Sequence, residues 1–195
     1  MVAAISASIH YYKSRKQVYF LLTCFYGTFS IGGLYWMLYI LLFGYSPQVF
    51  YVSELAWIAS FMFLLTLEIT ISSSEERKFK HPAMWLAPLF CIPQFFLYIT
   101  HGEIINNIFI CGITMVVAIY AIRGLIFARR QKGRLRDMQY LYMSALVFIF
   151  LEYLLWTSSC FWISDTLTNP YFWLDFLLTG ALFVILPATR KAVRP

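Results

Sequence analysis

All fifteen lysines and arginines of this chain lie in or beside alternate gaps between long apolar runs. The runs cover residues 17–43, 50–72, 83–100, 105–128, 138–163 and 171–187. Each is close to the roughly 20 residues a helix needs to cross a hydrocarbon core of about 30 Å. The basic groups are Lys13, Arg15 and Lys16; Arg77, Lys78 and Lys80; Arg123, Arg129, Arg130, Lys132, Arg134 and Arg136; and Arg190, Lys191 and Arg194. The stretches between them, "GYSPQV", "HGEI" and "SDTLTN", contain none. A missed or invented helix would scramble this alternation, so the charges check the hydropathy pattern independently. The positive-inside rule then places the basic connections and both termini in the cytoplasm.

Composition agrees: 61% of residues are hydrophobic and 12% charged, outside the balance of a soluble domain. The expected fold is an all-α membrane protein, a six-helix transmembrane bundle in the plasma membrane with both termini inside. Its parts are a cytoplasmic segment 1–16, a membrane domain 17–187 and a cytoplasmic tail 188–195. The net charge of +6 does not argue for nucleic acid, because the basic residues sit in short loops and form no basic face on a soluble domain. The N-terminal "MVAAISASIHYYKSRKQ" has its basic cluster after its apolar piece, the reverse of a signal peptide. That piece is too short to span, and reads as a helix stub or a cytoplasmic extension. Pro88 and Pro93 predict a kinked or broken third span, and Pro187 predicts the end of the sixth.

The first two and last two spans share a layout: an aromatic-rich helix end, a turn with a proline (Pro47, Pro170), then an acid (Glu54, Asp175) opening a run of apolar and small residues. Both hairpins cross in the same sense, so a duplication would be a parallel repeat of helices 1–2 and 5–6. The alternative is two aromatic-flanked hairpins shaped by the same bilayer.

Charge inside a bilayer is costly, so intramembrane acids are candidates for function. Glu54 and Asp175 lie about one turn inside the outer surface, and Glu152 lies in the middle to outer part of the fifth span. Helical spacing sets Trp57 on the face of Glu54 and Trp156 on that of Glu152. Tyr35, Trp36, Tyr39 and Trp173 lie at similar depths. The expected site is an outward-open acidic-aromatic pocket suited to an amphipathic or cationic small molecule, with Glu54, Trp57, Glu152, Trp156, Asp175, Tyr35 and Trp36 as ligand-binding residues. Glu54 and Asp175 also admit a plainer reading, as acids that complement the positive end of a helix and reach water. Glu152, deep in its span, does not.

No other constellation carries chemistry. "SPQ" and "IPQ" are too irregularly placed for a PQ-loop repeat, and "EERKFK" puts Glu75 and Glu76 in a loop. His10, His81 and His101 are scattered, and Cys24, Cys91, Cys111 and Cys160 lie singly as packing residues. No catalytic residue, metal ligand or cofactor is expected.

The hairpin "GGLYWMLYILLFGYSP" with "SELAWIASFMFLL" resembles the multi-pass N-terminal membrane sensory regions of bacterial diguanylate cyclases and histidine kinases. Glu54, Trp57, Ala59 and Ser60 fit that pattern, as do Glu152 and Asp175 in the second hairpin, whereas Gly33 stands where the first acid would be. The resemblance implies that "MVAAISASIHYYKSRKQ" is the tail of a preceding helix. It also implies a sensor-like module that acts through a separate cytoplasmic signalling partner or as a homo-oligomer, because no output domain follows Pro187. The functional expectation is a sensory or ligand-binding membrane protein without catalysis, its partners being the lipid bilayer and a small molecule from the outer side. The alternative is a small transporter or its substrate-binding subunit.

Overall fold

The computed structural model describes residues 1–45, 52–100, 104–162 and 167–193. Pro47, His101 and Arg194, which the sequence places in an outer turn, an outer loop and the inner tail, lie outside the described residues. Within them the chain is helical, with α1 (Val2–Ser14), α2 (Gln17–Phe43), α3 (Val52–Ile71), a short α4 (Ser74–Lys78), a 3-10 turn (Pro82–Trp85) leading into α5 (Leu86–Ile99), α6 (Ile104–Arg129), α7 (Arg134–Phe161) and α8 (Pro170–Ala192). Six helical segments among the described residues are long and apolar enough to cross a membrane: α2, α3, the turn with α5, α6, α7 and α8. They coincide with the six apolar runs, which makes the chain an all-α, multi-pass membrane protein.

Two compact units organise the helices. One is Met1–Ser72 with Trp85–Tyr120, and the other is Ser73–Met84 with Ala121–Pro195. In the first, α2 packs along α3, and α1 packs against α2. The α2 stripe Val18, Leu22, Phe25 and Gly32 and the α3 stripe Ser53, Ser60, Leu64 and Leu67 are buried, at the three- and four-residue intervals that keep side chains on one helix face. The segment expected as a cytoplasmic extension or stub is helical and folds back along α2. The Met1 ammonium donates to Ser30 Oγ at 2.8 Å, and His10 meets Tyr19 with ring centroids 5.5 Å apart. Between α5 and α6, Asn107 Nδ2 donates to the Tyr98 carbonyl at 2.8 Å, supplying a partner at a helix end where carbonyls run out of intrahelical donors.

In the second unit α7 packs along α8. The buried α7 stripe runs Met138, Leu141, Ala145 and Phe148 and continues to Leu155, while α8 buries Leu178, Ala181, Ile185, Ala188 and Ala192. Gly124 lets α6 approach α7 closely, because a Cβ there would overlap the Tyr142 ring.

Three local expectations change. The third span opens with a 3-10 turn and then runs as one helix through Pro93, with Pro88 harmless in its first turn. The sixth span does not end at Pro187, because α8 continues to Ala192. Proline withholds one N–H, but membrane helices tolerate it where neighbouring groups re-satisfy the backbone. Finally, Glu75 and Glu76 are not in a loop but in α4, capped by Ser73, whose side chain accepts from the Glu76 N–H at 3.1 Å.

Hydroxyls on these helices bond their own backbones. Thr23, Thr28, Thr66, Thr70 and Thr157 each donate to the carbonyl four residues earlier at 2.7–2.8 Å. In lipid there is no water to take that role.

Candidate functional site

The stripe that buries α7 sets the site. Counting on from Leu141, Ala145 and Phe148, the next inward position is Glu152, so its carboxylate lies on the packing face of α7 where a residue of the core would be expected. One turn further on, the Trp156 side chain hydrogen-bonds Glu152. Indole has a donor and no acceptor, so its N–H donates to the carboxylate. From α8, Asp175 comes close enough for the two carboxylates to repel, and the Tyr171 phenol senses both. Tyr171, Asp175 and Leu178 fall on one face of α8, with Leu178 buried. The cluster therefore joins two carboxylates, an indole and a phenol across one helix pair. Asp175 itself is exposed and Glu152 partly buried, so the cluster opens outward from the α7–α8 pair.

Other residues of the expected pocket belong to the first unit. Glu54, in the first turn of α3, is only 5% exposed and accepts a hydrogen bond from Ser53 Oγ at 2.8 Å. The acid at this helix start is thus enclosed, not turned to water. Trp57, one turn on, packs on α2. Its ring lies 5.8 Å from that of Trp36, and a Cβ added at Gly32 would sit 2.7 Å from the Trp57 Nε1 and 3.0 Å from the Ser53 carbonyl. Gly32 is therefore the gap that admits the indole and the first turn of α3 together. Tyr35 packs on Tyr39, with centroids 5.9 Å apart. Trp173 donates its N–H to the Leu167 carbonyl at 2.9 Å.

Two constellations thus emerge: Glu152 and Trp156 with Asp175, and Glu54 and Trp57 with Trp36. Tyr171, Ser53 and Gly32 complete them and were not singled out from the sequence. Tyr171 could have been found from its four-residue spacing to Asp175, but Gly32 carries no signal apart from being glycine.

Another buried acid was not singled out from the sequence. Glu76 is 1% exposed and accepts a 2.6 Å hydrogen bond from the Tyr142 hydroxyl. Burial pushes its carboxyl above the ordinary 4.5, opposed by the Tyr142 bond and by the charges of Arg123 and Arg77. Arg123 Nη1 also donates to the Arg77 carbonyl at 3.3 Å, while Phe79, just after α4, meets Phe127 at 5.7 Å and lies under the Arg130 guanidinium at 5.1 Å. This arrangement fastens α4 to α6 and α7.

Among the described residues no three His, Cys, Asp or Glu side chains come together as a metal site requires, and the four cysteines are free thiols. No protein-family model, curated protein or solved structure matches the chain.

Proposed function

We propose that this protein is a ligand-binding membrane protein of sensory type, and that the α7–α8 cluster is its binding site. The observation that carries the reading is Glu152, a carboxylate on the packing face of a membrane helix, held by the Trp156 indole with Asp175 and Tyr171 beside it. Two neighbouring carboxylates favour a positive charge between them, and aromatic faces favour a cation with apolar substituents. The ligand class is a lipophilic organic cation, entering from the side opposite the basic connections. By the charge alternation that is the outer side of the cell membrane, with the turn at Lys13 to Lys16 and the C-terminal tail on the cytoplasmic side and Met1 folded back along α2 to Ser30. The resemblance to sensory regions supports a non-catalytic role exercised through a cytoplasmic partner or a second copy of the chain.

One observation favours the alternative, a small transporter. Both packed hairpins, α2 with α3 and α7 with α8, carry an acid near the start of their second helix with a tryptophan within a turn of it, namely Glu54 with Trp57 and Asp175 with Trp173. Paired half-sites of this kind suit a duplicated transport fold.

Tetraphenylphosphonium separates the readings. On a sensor it raises the thermal midpoint of the detergent-solubilised protein without crossing proteoliposomes faster than in protein-free controls. On a transporter the same cation shows protein-dependent flux. In both, Glu152→Gln abolishes the response. A wild-type protein indifferent to this cation, or a Glu152→Gln variant that responds as wild type, rejects the site.

A further inference from the structure

A groove of about 390 Å³ runs between α7 and α8 along the half of the pair remote from Glu152. Two facing helical stripes make it. Tyr140, Met143 and Val147 line it from α7, and Ala181, Val184 and Ala188 from α8. Small side chains at Ala181 and Ala188, both buried, form its floor, while Met143, Val147 and Val184 stand exposed as its walls. Ser144 turns its hydroxyl to the Leu141 carbonyl at 2.8 Å, so between Tyr140 and Lys191 at one end and Ala181 at the other the interior is apolar.

The groove ends at a cation. Lys191 closes it on the last turn of α8, its ammonium 3.7 Å above the Tyr140 ring and 3.6 Å from Asp137 Oδ1. The ring holds the ammonium at the mouth. The Asp137 pair is substantially exposed on both sides and contributes little, so it yields to a competing anion. Arg190 and Arg136 adjoin the pair in sequence and add to the positive charge at this end. From Lys191 to Ala181 is ten residues of helix, about 15 Å, which is half of a hydrocarbon core of about 30 Å.

We infer that this groove is a binding site for an anionic glycerophospholipid of the leaflet at the basic end, with one acyl chain along the α7–α8 groove and the phosphate at Lys191. Charge and length both select this occupant. The apolar channel extends one leaflet deep, and its single charged end lies at the level where a lipid phosphate sits. The inference is independent of the Glu152 site.

The test is native mass spectrometry of the purified full chain with dioleoyl-phosphatidylglycerol or dioleoyl-phosphatidylcholine as probe, with oligomeric state read from the same spectra. The wild-type protein should retain the phosphatidylglycerol preferentially. Lys191→Gln should weaken that retention about five-fold, Ala188→Phe should block it by filling the floor, and Lys132→Gln, outside the groove, should leave it near wild type. Circular dichroism confirms that each variant is folded, and Lys191→Gln, a substitution at an exposed position, serves if Ala188→Phe is not. Equal retention of the two lipids, or unchanged phosphatidylglycerol binding in Lys191→Gln, overturns the site. So does an Ala188→Phe protein that changes oligomeric state while keeping its lipid, since a second copy of the chain would then occupy the groove.

Discussion

The Tyr142 hydroxyl donates to Glu76 across 66 residues of sequence, and neither side chain is open to solvent. The short α4 is thereby tied to the first third of α7 through a carboxylate. Because Gly124 leaves room for the Tyr142 ring, this one contact involves α4, α6 and α7 together.

Acid should stabilise the fold through Glu76, because a proton relieves the burial of its charge even though the Tyr142 bond favours the carboxylate. The Glu76 carboxyl is raised above 4.5 in the folded protein by burial, so the native state holds this proton over a pH range in which the unfolded chain has released it. Its contribution to stability is fully present below 4.5 and declines as pH rises through the raised folded value. Thermal midpoints measured from pH 4.5 upward should fall less steeply for Glu76→Gln than for wild type. Parallel curves would contradict this.

Removing the donor should be more harmful than removing the charge. Tyr142→Phe leaves an enclosed carboxylate short of a hydrogen bond, at a cost of about 1–3 kcal/mol. In a double-mutant cycle the same change in a Glu76→Gln background should cost measurably less. Additive midpoints in denaturant or heat would mean that the two side chains do not act together.

Gly32→Ala should destabilise the α2–α3 pair by about 1–3 kcal/mol, since the new methyl meets the Trp57 indole and the Ser53 carbonyl at once. Trp57→Leu should recover part of that loss, because a smaller side chain vacates the indole edge. Failure of rescue would place the whole strain on the α3 backbone.

Ser53→Ala should cost about 1–3 kcal/mol by withdrawing the donor that Glu54 accepts from. Ser53→Thr, which keeps a hydroxyl, should stay near wild type in a thermal scan.

The number and placement of the spans were legible because apolar length and alternating basic gaps are both additive properties of local sequence. The packing register was partly legible as well. Glu152 and Trp156 share a face by spacing alone, Asp175 was expected beside them, and what the structure adds is Tyr171, one turn before Asp175 on α8. What escaped were contacts made at a distance. Nothing near Glu76 announces Tyr142, and "SSSEERKFK" reads as a loop until its second serine, Ser73, is recognised as a cap and Glu76 as a docking group. Pro187 misled because the rule that proline ends a helix weighs the lost donor and omits what a membrane environment restores.

Thr66 and Thr70 stand on the exposed surface of α3, yet both spend their hydroxyl hydrogens on the preceding turn of backbone. A lipid chain beside them therefore meets chiefly a methyl group. By the same geometry Thr23, Thr28 and Thr157 are disguised valines, and a sequence that looks freckled with polarity presents an aliphatic coat. Hydropathy tables, which count each threonine as a wet residue, understate how well these helices dissolve in a bilayer.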